Sequence, residues 1–426
     1  VGQIPKSRID AINSAFASCG LIQQKIMTGF HGAARFARKF PASRGHQRLF
    51  QGIHVQPSAI DLLHLACKIL RRTRLRVRHG ICVSCAHRMK TMRNYFLLSA
   101  SMLAGLVAVQ TATAQVDFAE FDLKNGLHVI LHEDHSTPIV AVTVMYHVGS
   151  KNENPERTGM AHFFEHLLFE GSEHIARGEF DGYVEGAGGV LNANTTQDRT
   201  FYYELLPSNQ LELGLWLESE RMLHARVDGT GIETQREVVK EEKRQRYDNQ
   251  PYGQMMPTTF DRAYTEHPYR WTPIGSLDHL NAASYEEFMD FYKTFYVPNN
   301  AVLSIAGDLD IKATKKLIKA YFEDIPAGTR EIPRPTIEEP IRTAEVRDTI
   351  FGKDALPMIV QAYPVPAQGT EDYYAVEMLN QVLSGGESSR LNRRVVDEEQ
   401  LALFCGAFNF GLEDPGLTFA YAMASM

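Results

Sequence analysis

His162-Phe163-Phe164-Glu165-His166 is the stretch on which the reading of this chain turns. It lies inside an apolar run from Met160 to Phe169 that meets no Gly or Pro before Gly171, so the spacing predicts a buried helix. On a helix, positions i and i+4 share a face, and His162 and His166 can aim both imidazoles at one point. Glu165 stands beside that point. Two neutral imidazoles suit zinc, and a catalytic site needs a third protein ligand with one position open to water. Bound zinc lowers the pKa of that water to about 7, and an adjacent carboxylate can take its proton. Burying two His and a Glu among Phe163, Phe164, Leu167, Leu168 and Phe169 without partners would cost several kcal/mol. A bound metal removes that cost, and the pattern points to a zinc hydrolase.

A third ligand follows from periodicity. Residues 233–249 contain no Gly or Pro and are rich in helix formers. Their internal apolar pair, Val238-Val239, is expected to mark the buried side. At about 100° per residue, Glu242 falls close to the direction midway between the two valines. Glu233, Glu237 and Glu241 point elsewhere and read as solvated. Glu242 is therefore the expected third ligand.

Several separated motifs then resemble one family in the right order: HFFEH at 162–166, REVVKEE at 236–242, GGVLNANTTQDRTFYYELL at 188–206, HPY at 267–269, PIG at 273–275 and FYVPNNAVLSIAGDLD at 295–310. Together they resemble the pitrilysin/insulinase family of zinc peptidases, in its processing-peptidase branch, whose inverted His-x-x-Glu-His signature the first motif matches. The resemblance runs from about residue 117 to the end. It implies His162, His166 and Glu242 as zinc ligands, Glu165 as general base, and one Zn2+ per chain. Some members carry a second glutamate seven residues before the third ligand; here that position is Gln235, and no acid/base role is expected there. The resemblance also implies that the strand near Asn192 and Ala193 is an exposed edge beside the metal. An extended peptide could add to that edge through main-chain hydrogen bonds.

The 426 residues carry a formal net charge of −7, distributed unevenly. Residues 1–88 hold 15 Lys and Arg against 2 Asp and Glu, whereas 115–426 hold 27 against 49. Four of the five cysteines (Cys19, Cys67, Cys82, Cys85) also fall in the first 88 residues. Met89 to Asn94 is a short basic start, Tyr95 to Val109 an apolar run, and Ala112-Thr113-Ala114 an A-x-A cleavage pattern. Residues 89–114 thus read as a signal peptide, too short in its apolar run for a stable membrane span. The expected native start is Met89, with residues 1–88 a basic prefix from upstream; the alternative is an organelle transit peptide. Cys82-x-x-Cys85 has no second pair and is not expected to bind metal. A periplasmic or secreted location is expected, and the acidic remainder argues against nucleic-acid binding.

From 115 onward strands and helices alternate, which gives an α+β layout with helices packed on one face of a mostly antiparallel sheet. Asn125-Gly126 signals a hairpin. Residues 115–326 read as the zinc-bearing domain, and prolines 326, 333, 335 and 340 mark a linker over about 327–345. Residues 346–426 read as a truncated start of a second, metal-free copy. Aligning Ala375 with Ala161 sets Val376, Leu379 and Asn380 opposite His162, Glu165 and His166. The resemblance implies a peptide substrate and a chamber closed by the second half of the chain or by a homologous subunit. The competing readings are a non-catalytic peptide-binding or scaffolding subunit and a domain that zinc merely stabilises.

Overall fold

The computed structural model describes residues 116–425, Lys353 apart. The basic prefix, the expected signal peptide and Cys82-x-x-Cys85 lie outside the described residues. Six strands, β1 (Ala119–Asp122), β2 (His128–Glu133), β3 (Ile139–Tyr146), β4 (Val190–Thr195), β5 (Thr200–Pro207) and β6 (Ala301–Gly307), form one sheet in the order β1-β2-β6-β3-β5-β4. Among the described residues of this sheet only the β2–β6 pairing is parallel. Burial alternates with a period of two, as a sheet covered on one face requires. Val140, Val142, Val144 and Tyr146 of β3 are buried, while the residues between them are partly or fully exposed. Val142 and Val144 stand in register with Ile305 and Leu303 of β6. Helices α1 (Met160–Leu167), α3 (Leu211–His224), α7 (Tyr285–Phe295) and α8 (Ile311–Phe322) cover that face through Phe163, Phe164, Leu215, Phe288 and Phe322, with the short α2 (Phe180–Gly186) and α6 (Leu277–Ala282) in the connections. The α+β architecture with a mostly antiparallel sheet is as the sequence reading expected.

The β1–β2 hairpin forms, with a geometry that the Asn-Gly signal alone does not specify. Leu123 N–H donates to Leu127 O, Gly126 N–H donates to Leu123 O, and Gly126 has φ 86°. This is a three-residue connection with glycine in the left-handed region. The Asn125 side chain accepts from Leu127 N–H (3.2 Å) within the turn. Its buried amide donates to Phe322 O (2.7 Å) and Ile325 O (2.9 Å), closing the end of α8.

The inward row of β5 also carries Glu204, which is 1% exposed. Its companions are Glu218 and Arg221 of α3, both fully buried. Arg221 donates to Glu218 (3.0 Å) and to Leu168 O (2.8 Å), and its guanidinium lies 4.2–4.5 Å from the ring centres of Phe169, Phe180 and Tyr202. Burial, with Glu218 adding to it, pushes the Glu204 carboxyl well above its ordinary range. One buried cation thus ties the end of the α1 turn to the sheet.

Between Phe322 and Met358 the described residues hold no helix or strand. This stretch is pinned where the Glu339 carboxylate accepts from the N–H groups of Thr265, Glu266 and His267 (2.8–3.0 Å). A second sheet follows, β7 (Met358–Val365), β8 (Ala402–Phe410) and β9 (Gly416–Ala424), in the order β7-β9-β8, with α9 (Glu371–Ser384) before β8. Helix α5 (Met255–Ala263) packs Phe260 against Leu417 and Phe419 of β9. The Lys151 ammonium, 5% exposed, bridges Asp198 to Glu413 and Asp414. In α9, Val376 is buried among apolar side chains. Asn380 donates to Asn409 Oδ1 (2.6 Å) and Thr418 Oγ1 (2.8 Å). The residues set opposite the two histidines are therefore apolar in one case and internally satisfied in the other.

Candidate metal centre

Helix α1 starts at Gly159, whose φ of 99° lets the chain turn into it. Its first amides are met by Glu153, which accepts from Gly159 N–H (2.9 Å), Ala161 N–H (2.8 Å) and Trp271 Nε1 (3.1 Å). A carboxylate at a helix N-terminus satisfies orphan donors and faces the positive end of the dipole. Burial opposes that charge more strongly than the amides support it, and the Glu153 carboxyl is pushed up to about 8. The helix buries Met160, Ala161, Phe163, Phe164 and Leu167. His162 and His166 are left facing a cleft of about 620 Å³.

Opposite them runs α4 (Gly229–Lys243), started by Asp228, whose carboxylate accepts from Gly231 N–H (2.8 Å). Ile232, Arg236 and Val239 form its buried stripe. Val238 does not join it. It is 43% exposed and lines the cleft, so the expected inward valine pair is corrected to Val239 alone. Three residues beyond Val239, Glu242 still turns inward, with its side chain 15% exposed.

The structure brings His162, His166 and Glu242 together. Glu242 Oε2 lies 3.4 Å from His162 Nε2 and 3.2 Å from His166 Nε2, and the two nitrogens are 3.4 Å apart. Zinc bonds of about 2.0–2.1 Å at tetrahedral angles separate ligand atoms by roughly 3.3 Å, so the triangle has the size that a zinc ion requires. Glu242 Oε2 is buried and makes no hydrogen bond, and His162 Nδ1 is likewise without a partner. An orphaned carboxylate oxygen facing two imidazole nitrogens is what a cation would satisfy. Burial disfavours charge on Glu242, but the facing imidazoles outweigh it and hold the carboxyl far below its ordinary range. The donor set fits the metal.

Glu165 lines the same cleft, and its Oε2 accepts from Thr195 Oγ1 (2.6 Å). Asn192 and Ala193 also line it, on β4, which among the described residues pairs only with β5 and is one edge of the sheet. Ala193 N–H donates to Asn192 Oδ1 (2.9 Å). Gln235 faces away from this work, its amide donating to Glu170 (2.5 Å). Two neighbours escaped the sequence reading. Arg246 donates to Glu242 Oε1 (2.9 Å), and its i+4 spacing was the available signal. Thr195 had no local signal, since only strand pairing brings it to Glu165.

A His-x-x-Glu-His helix and a distant Glu beside the edge of a mostly antiparallel sheet define an inverted-zincin class of domain. One family model, Insulinase (Peptidase family M16), matches residues 128–270, and another, Peptidase M16 inactive domain, matches 282–425. The chain is 35% identical over 296 residues to Zinc protease PqqE of Helicobacter pylori, covering 68% of this chain and 66% of that protein. The crystal structure of a protease from Helicobacter pylori superposes with a TM-score of 0.68 at 33% identity, over 73% of this chain and 76% of that one. The periplasmic protease PqqL from Escherichia coli, at 22% identity, shares the fold with a TM-score of 0.59, over 74% of this chain and 36% of that one. The chain belongs to peptidase family M16, the insulinase family. It spans about two thirds of the length of the first curated relative.

Proposed function

We propose that this chain carries the metal-bearing half of a zinc-dependent endopeptidase that hydrolyses peptides or unfolded polypeptide segments. What supports the reading is the 3.2–3.4 Å triangle of His162, His166 and Glu242, with Glu165 on the same cleft. His162, His166 and Glu242 would hold one zinc ion, which when bound polarises the scissile carbonyl and acidifies water. Glu165 takes the proton from the attacking water and returns it to the leaving amine. Thr195 fixes the rotamer of Glu165 through its 2.6 Å hydrogen bond. Arg246 holds the outer oxygen of Glu242 and leaves the inner one for the metal. Asn192 and Ala193 on the β4 edge would take the substrate as an added strand, a mode tolerant of side chains. Phe260 and Phe410 line the cleft with apolar surface that limits water.

A second half of the protein, or a homologous subunit, would close the chamber over this cleft. A periplasmic or secreted location is what the expected signal peptide supports. Among the described residues no helix is long and apolar enough to cross a membrane. A non-catalytic peptide-binding subunit is the alternative, and an intact donor set with its adjacent acid disfavours it. Zinc content together with cleavage of a quenched peptide, measured on the full-length protein, tests the proposal. Glu165→Gln is expected to keep zinc and lose turnover by about 10²–10⁴-fold; undiminished hydrolysis by that variant would remove Glu165 from the mechanism.

A further inference from the structure

A second convergence of ligating side chains lies on α3 and the turn that follows α1. Glu220 and His224 stand four residues apart on α3 and share a face. His174 reaches them from the turn, its Nδ1 3.0 Å from both Glu220 oxygens. The His174 and His224 rings meet edge to face at 5.2 Å. One donor atom from each of the three residues falls within 4.8 Å of the others.

An ordinary ion pair would need only His174 and Glu220, yet each member here is oriented by a further group. Ser172 Oγ donates to Glu220 Oε2 (2.6 Å) and leaves Oε1 to face His174. Glu173 Oε2 sits 3.1 Å from His224 Nδ1. That contact occupies Nδ1 and leaves Nε2 for an ion, as carboxylates do for metal-bound histidines. The turn itself is fixed. Ser172 Oγ accepts from the N–H groups of His174 (3.2 Å) and Ile175 (3.1 Å), Glu173 N–H donates to His224 O (3.0 Å), and Arg226 N–H donates to Gly171 O (2.9 Å). Glu220 is 6% exposed, so its carboxylate is held on a rigid floor rather than on a free surface.

We propose that His174, Glu220 and His224 form a second site for a divalent transition-metal ion, zinc foremost. Two imidazoles and one carboxylate select zinc, copper or nickel over the hard cations magnesium and calcium. The fourth position opens to solvent, because the His174 side chain is 58% exposed. The bound ion would clamp the 171–178 turn, which leaves the end of α1, to α3. It would be held more weakly than an ion in the His162–His166–Glu242 site.

The test uses the full-length chain, stripped with a chelator, dialysed and titrated with Co2+ under visible absorption, with zinc counted by mass spectrometry in parallel. Wild type is expected to take one equivalent more than the His174→Ala/His224→Ala double variant, whatever the His162–His166 site takes. His162→Ala should leave this second equivalent in place, so failure at one site is distinguishable from failure at the other. Glu173→Gln should weaken the second equivalent about tenfold while leaving all three ligands present. Equal metal content in wild type and the double variant overturns the proposal. So does magnesium competing at equal concentration. His174 is exposed and His224 half-buried, and an unchanged unfolding curve in chelator confirms that the variant is folded.

Discussion

Glu242→Gln should change sign in its effect on stability when zinc is added. In the metal-free chain Glu242 Oε2 is buried, 3.2 and 3.4 Å from two imidazole nitrogens, and makes no hydrogen bond. A buried acceptor left unmade costs about 1–3 kcal/mol. A glutamine amide at the same point can donate to one of those nitrogens, and its oxygen can keep the Arg246 contact. At pH 8 the variant in chelator should therefore be more stable than wild type by roughly 1–2 kcal/mol. Each kcal/mol corresponds to about 2–4 °C in Tm for a domain of this size. Zinc reverses the order. Wild type at a free concentration 100 times the Kd of this site gains about 2.7 kcal/mol from it by mass action, whereas a neutral amide is a poor ligand and the variant gains little from the same site. Differential scanning calorimetry of both proteins in chelator and in zinc reads the two differences directly. A variant less stable than wild type by the same amount in both buffers would refute the metal-ligand role, because Glu242 would then be only a structural partner of the histidines.

Three other outcomes are expected. Arg221→Met leaves Glu218 and Leu168 O in the core without their donor and Glu204 without its facing cation, and should cost about 3–5 kcal/mol in urea unfolding of the metal-free protein; a loss under 1 kcal/mol contradicts the buried-cation account. Glu153 is raised from 4.5 to about 8 in the folded chain. Between those pH values the folded chain holds a proton that the unfolded chain has released, so stability falls as pH rises through the window, by up to about 1.4 kcal/mol per pH unit. Glu153→Gln should flatten that slope, and an unchanged profile from pH 5 to 8 speaks against it. Ala193→Pro removes a main-chain donor from the β4 edge and should raise KM for a quenched peptide by about tenfold, one hydrogen bond's worth, with zinc content intact; unchanged KM would show that substrate does not pair there.

The His162–His166 pair was legible because five residues on one helix fix their own geometry. The same logic reached Glu242 from the 3.6-residue period, even though one of its two markers, Val238, faces the cleft. The true stripe is Ile232, Arg236 and Val239, and a helix stripe is wide enough to forgive an error of that size. The Asn125-Gly126 signal gave the hairpin but not the hydrogen bonds that Asn125 makes at the end of α8.

Local periodicity thus determined the elements, the histidine face and the inward turn of one glutamate among four. Only the tertiary structure decided which distant groups meet: Thr195 at Glu165 through strand pairing, Arg221 between two core carboxylates, Asn380 satisfied by Asn409 and Thr418, and His174 arriving over Glu220 and His224. A period is set by backbone geometry within a few residues and can be read along the chain. A contact across tens or hundreds of residues depends on how the helices seat on the sheet, and no short window of sequence contains that.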